Sequence, residues 1–119
     1  MKNLLIALFL ITPVCCADWG DVYYCEMTSY SDTSDEGNVT NYKLSKFKFK
    51  LDKEQKAMVF GKEGFLSNAV EKLNLRRSFP QQETWVASDD NILFMEGKFL
   101  YSYVSYWYIS AVTASCEKF

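Results

Sequence analysis

The last twenty-odd residues, Lys98 to Phe119, read KFLYSYVSYWYISAVTASCEKF and constrain the fold more than any other stretch. They are dense in aromatic and β-branched residues and contain neither Gly nor Pro. Such residues suit a pleated, half-buried surface rather than a helix. Two interleaved rows emerge: Tyr106, Tyr108, Ser110, Val112, Ala114 and Cys116 on one face, and Trp107, Ile109, Ala111, Thr113 and Ser115 on the other. Drawn out as one strand at about 3.3 Å per residue, the segment would span roughly 66 Å, too long for a domain of this size. A turn near Val104–Ser105 is therefore expected, which makes a hairpin of two long strands.

The chain opens on Met1, Lys2 and Asn3, followed by LLIALFLITPVCC and then Ala17 and Asp18. A short positive start, an apolar run of about a dozen residues and a small residue before polar sequence read as a secretory signal peptide, residues 1–17. The run is too short for a membrane span of about 20 residues. Acylation of Cys15 or Cys16 is the weaker alternative, because Val14 is not the small residue such a signal wants. The remaining residues, 18–119, are enough for one β domain, expected to be secreted or periplasmic, without stable membrane insertion.

The 119 residues carry a net charge of −2, and removal of Lys2 with the leader makes the rest slightly more acidic. No general attraction to nucleic acid follows from that balance. Of four cysteines, Cys25 and Cys116 remain after the leader is removed. In an oxidising compartment they point to one disulfide, joining the first strand to the last. Closing a loop of about 90 residues is worth roughly 4–5 kcal/mol on chain-entropy grounds. Two buried free thiols are the alternative, and two cysteines without histidine make a poor metal site.

The rest of the chain reads as strands and turns. Asp21 to Tyr30 places Tyr23, Cys25 and Met27 on an inward row. Residues 31–41, SDTSDEGNVTN, read as a polar loop. Phe47, Phe49 and Leu51 alternate with Lys46, Lys48 and Lys50, while Tyr42 and Leu44 lie on the opposite parity, so a bulge is expected near Ser45. Residues 52–55 make a hairpin turn, and Ala57 to Phe60 returns as a short strand. Between Gly61 and Pro80 two readings compete: a short strand carrying Leu73, Leu75 and Phe79, or a helical turn near Ser67–Leu73 capped by Asn68 and Glu71. Strands at Glu83–Ser88 and Asn91–Met95 follow, separated by Asp89-Asp90, with a tight turn at Glu96-Gly97. The fold expected is all-β: an antiparallel meander of seven to eight strands, forming a small closed or partly open barrel whose terminal strands are neighbours.

Histidine is absent. Its absence removes the usual general base, the commonest transition-metal ligand and every Ser-His or Cys-His device. The acidic residues fall in turns or on solvent rows; Asp89 and Asp90 are adjacent and would splay apart rather than face across a cleft. A non-catalytic role is expected, with no cofactor. Asp32, Ser34, Glu36 and Gly37 match the first half of an EF-hand loop, but Lys43 occupies the position that requires a bidentate Glu. No metal is expected. Lys43, Lys46, Lys48 and Lys50 form a basic comb, read as a solvent face that discourages edge pairing. Asn38-Val39-Thr40 is a glycosylation sequon that matters only in a eukaryotic secretory pathway.

The aromatic group Tyr101, Tyr103, Tyr106, Trp107 and Tyr108, joined by Trp85, is the best candidate for a ligand or partner surface. Opposite rows of a strand face opposite ways, so these side chains cannot all be core. Cross-strand tyrosine packing is the competing explanation. Two functions follow as expectations: a binding module for an unknown small ligand, or a protein-interaction protein using an exposed aromatic patch. No family motif is matched. The Gly-x-Trp element of small secreted barrels of the lipocalin–avidin kind is missing, since Asp18-Trp19-Gly20 holds those residues in another order.

Overall fold

Alternation of large apolar and polar residues builds the sheet wherever the chain is long enough to cross it. The computed structural model describes residues 17–78, 82–87, 89 and 91–119; the signal peptide expected over 1–17 lies almost wholly outside them, as do Pro80 and Asp90. The strands are β1 (Val22–Ser34), β2 (Val39–Asn41), β3 (Lys46–Asp52), β4 (Ala57–Phe60), β5 (Val70–Ser78), β6 (Gln82–Ala87), β7 (Ile92–Met95), β8 (Lys98–Val104) and β9 (Tyr108–Lys118). All pairings are antiparallel. β1 pairs with β3 on one side and β9 on the other, so β1 and β3 to β9 close an eight-stranded barrel, and β2 is one extra strand on the far half of β1.

Eight strands leave an interior that side chains can fill. Here they do. Phe47, Phe49, Phe60, Phe94 and Phe99 meet at its centre, with Phe47 5.0 Å from Phe99 and Phe49 5.1 Å from Phe94, both edge to face. Tyr23, Leu51, Met58, Ile92 and Val112 complete the packing. At one end Trp19 folds under the barrel and stands edge-on to Trp85, 4.7 Å between centroids. The Gly20 N–H donates to the Leu51 carbonyl at 2.6 Å and holds that arm in place. We refer to this end as the base.

The seam between β1 and β9 runs from Tyr23 opposite Lys118 to Ser34 opposite Tyr108, and Cys25 lies directly opposite Cys116. Their sulfurs form the expected disulfide, 91 residues apart in sequence. One irregularity interrupts the seam. Met27 faces Ala114 and Ser29 faces Thr113, which leaves Thr28 as an inserted residue, a β-bulge. The hydroxyls of Thr28 and Ser29 both lie 2.6 Å from the Thr113 hydroxyl. The insertion changes the parity of β1, so the inward row passes from Tyr23, Cys25 and Met27 to Tyr30 and Asp32.

Two expectations are corrected. The polar segment 31–41 is not a plain loop: residues 31–34 prolong β1, and Val39–Asn41 return as β2. Pairing with the equally long β9 supplies partners for backbone that residue preference alone would leave as loop. The helical turn near Ser67–Leu73 is replaced by a turn at 65–68 and then β5, in line with the strand reading. Leu66 and Asn68 have positive φ, 54° and 61°, which no helical turn allows. The irregularity expected near Ser45 appears as a break in strand structure over 42–45, between β2 and β3.

Candidate functional site

β1 and the β8–β9 hairpin are longer than the other walls, so they rise above the closed ring as a trough. Asp35 donates its N–H to the Trp107 carbonyl at 2.9 Å, which ties the two hairpin tips together. The trough's inner face continues the inward rows of three strands: Tyr30 and Asp32 from β1, Tyr108 and Ser110 from β9, Tyr101 and Tyr103 from β8. Register sets them side by side, with Asp32 opposite Ser110 and Ser110 opposite Tyr103.

Phe65, from the turn between β4 and β5, forms the floor. Its ring stands edge-on to Tyr101 at 4.9 Å, to Tyr30 at 5.8 Å and to Phe47 below at 5.8 Å. Tyr42 closes one side, 4.8 Å from Tyr30. Together these residues bound an open recess of about 390 Å³. Gly64 makes the floor possible: φ is +87°, and a Cβ there would collide with the Lys46 carbonyl oxygen.

Among the described residues that line the recess, Asp32 carries the charge. Asp32 accepts the Tyr42 hydroxyl hydrogen through Oδ2 at 2.8 Å. Its Oδ1 is shielded from solvent and has no hydrogen-bond partner among the described residues. Glu71 shares the inward face of β5 with Leu73, and its register partner is the buried Met58. The hydrogen bond to Asp32 is the first cause that holds the Tyr42 hydroxyl above its ordinary pKa, followed by burial and the Asp32 charge. Burial comes first for Tyr101, then the Glu71 carboxylate and the neighbouring tyrosines, all raising it.

The structure brings Tyr101, Tyr103 and Tyr108 together in this recess, with Tyr103 and Tyr108 6.2 Å apart. Tyr106 and Trp107 stand at the hairpin turn instead, 93% and 71% exposed. Trp85 does not join them. It is 2% exposed inside the lower barrel, against Trp19. Sequence reasoning missed Tyr30, Asp32, Tyr42, Phe65 and Ser110 as members of the recess. The signal that could have found the β1 pair was the length of β9, which needs an equally long partner.

Other features sit apart from the recess. A wider cleft of about 600 Å³ lies at the base, between the chain end, Ala17 and the Glu96-Gly97 turn, and mixes Glu96 and Glu117 with Lys118. On the outer face of the trough, register aligns Val104 with Ile109, Ile109 with Thr33 and Thr33 with Val39. Val104, Ile109 and Val39 are all exposed. Lys46, Lys48 and Lys50 point outward, Lys46 3.4 Å from Glu26 and Lys48 over the Tyr24 ring. Around the Asp32–Gly37 segment, Ser34 Oγ accepts the Asn38 N–H at 3.1 Å as part of the turn. Among the described residues no group of three or more His, Cys, Asp or Glu side chains is placed to hold a metal ion.

Comparison with known proteins returns no matching family, no matching curated relative and no matching solved structure. No helix among the described residues is long and apolar enough to cross a membrane.

Proposed function

We propose that this protein is an exported, non-catalytic binding module that holds a small ligand in the tyrosine-lined recess above its barrel. One observation carries the reading. The barrel interior is filled by phenylalanines, yet the same inward rows continue upward as tyrosines around open space of about 390 Å³. Core packing has no use for that change of residue type. Tyrosine offers a flat apolar face and a polar tip, and a few placed polar groups among aromatic walls are what small-molecule sites provide. The disulfide across the β1–β9 seam is compatible with an extracellular or periplasmic address, which the signal-like leader also supports.

A second reading rests on a different surface. Trp107, Tyr106 and the outer row of Val104, Ile109 and Val39 expose large apolar side chains at one tip, as protein-contact sites do. Native mass spectrometry of the oxidised protein purified from the exporting host separates the two. The recess reading expects a retained small-molecule adduct, lost in the double variant Tyr103→Ser/Tyr108→Ser and kept in Trp107→Ser. Dimers or protein adducts that disappear with Trp107→Ser, with no small adduct at any stage, would overturn it in favour of the second.

A further inference from the structure

We propose that the recess recognises an organic ammonium group, a primary or methylated amine on a small molecule. The inference rests on the recess being a ligand site and names what that ligand carries.

The first support is the ring geometry. Tyr30, Tyr42, Phe65, Tyr101, Tyr103 and Tyr108 approach the same space from five parts of the chain. An aromatic ring presents a negative face, and a cation within about 6 Å of several such faces is attracted by each of them. Rings at several angles around one volume suit a rounded cation better than a flat sugar ring, which stacks on one or two parallel faces.

The second support is uncompensated charge. Asp32 lines the recess and accepts from Tyr42 through one oxygen, while the other has no hydrogen-bond partner among the described residues. Glu71 shares the inward face with it across the barrel. Among the described residues that line the recess there is no lysine or arginine. The lysines of β3 occupy its outward row, so strand alternation itself keeps them away. A partly shielded carboxylate oxygen without a partner among the described residues offers an acceptor to an incoming cation. A bare metal ion does not fit, because ring faces are poor ligands and no group of three metal-binding side chains is found among the described residues.

The test uses choline as the charged probe and 3,3-dimethylbutan-1-ol as its neutral isostere, each titrated into the full oxidised protein and followed by the aromatic NMR signals. Choline should shift Tyr30, Tyr101 and Tyr108 saturably at millimolar concentration or below, with the isostere at least tenfold weaker. Asp32→Asn should weaken choline about tenfold while the isostere stays unchanged. Tyr103→Leu, at a half-exposed side chain, should also weaken choline and covers the case in which Asp32→Asn fails to fold. Equal binding of probe and isostere would overturn the ammonium inference and leave the recess a site for apolar ligands. Shifts of the same tyrosines by maltose, with none by choline, would overturn it too and leave the recess intact. No shift of any recess tyrosine by choline, isostere or maltose would remove both this inference and the reading beneath it.

Discussion

Tyr30 and Phe65 meet edge to face with ring centres 5.8 Å apart, although one belongs to β1 and the other to the turn between β4 and β5. This contact joins the filled barrel to the open trough. Phe65 caps the phenylalanine core from above and at the same time gives the recess its floor, so what holds that turn holds the site.

Replacement of Gly64 by alanine should therefore loosen both. A side chain at φ +87° meets the strain of left-handed backbone, roughly 1–2 kcal/mol, before any collision with the Lys46 carbonyl is counted. We expect a stability loss of about 2 kcal/mol or more in urea unfolding, with the Phe65 and Tyr101 NMR signals shifted or broadened. An unchanged midpoint would show that the turn rearranges freely.

Deletion of Thr28 removes the inserted residue of β1. Ser29 then follows Met27 directly, opposite Thr113, and period-two alternation keeps Tyr30 and Asp32 on the inward row. The Tyr30–Phe65 and Tyr30–Tyr42 contacts and the Tyr42–Asp32 hydrogen bond should therefore be kept. The delayed ionisation of Tyr42 should persist in the absorbance titration. Its loss would show that the bulge is needed to shape the trough and does more than correct the parity of β1.

Replacing both Cys25 and Cys116 by alanine tests the seam. Chain entropy for a loop closed by partners 91 residues apart allows a loss of up to about 4–5 kcal/mol, with delivered values commonly lower. The β1–β9 ladder is long, from Tyr23 opposite Lys118 to Ser34 opposite Tyr108, and should keep its register without the sulfurs. The far-ultraviolet dichroism should thus keep its sheet signature while the denaturation midpoint drops. Loss of all sheet signal would mean that the bond is needed to align the ends and not merely to tighten them.

Tyr42 and Tyr101 have folded-state pKa values raised above 10. Below pH 10 both hydroxyls are neutral in folded and unfolded chains alike. As pH rises further the unfolded chain ionises first, so their contribution to stability is lost as pH climbs through the folded-state pKa. Absorbance at 295 nm should show at least two tyrosines ionising after the rest in the native protein and none in urea. In Tyr42→Phe one of those late transitions should be missing.

Some of this architecture was legible in the residues. The rows of β9, the comb of β3 and the pair of cysteines beyond the leader-like segment lead to a barrel stapled at its seam, because alternation and cysteine parity are local patterns. The trough was not, since its causes are non-local. Ser31 to Ser34 look like loop until β9 supplies their partners. The Thr28 bulge bears no glycine or other mark, and without it Tyr30 and Asp32 fall on the wrong face. Tyr42 and Phe65 reach the recess from segments with no strand pattern, positioned by Asp32 and by the backbone freedom of Gly64. Trp85 was grouped with the hairpin because residue type suggested a surface, but its register opposite Leu75 and Phe94 carries it deep into the interior.

Thr28 also divides the molecule into a part that must stay constant and a part free to vary. Below it, residues of β1 and β9 seal the ring and tolerate little change; above it, the same two strands only shape a container. If the recess holds a ligand as proposed, substitutions at Tyr103 or Tyr108 would retune what it accepts without reopening the frame. One scaffold would in that case be re-specified for new cargo while its folding is left alone.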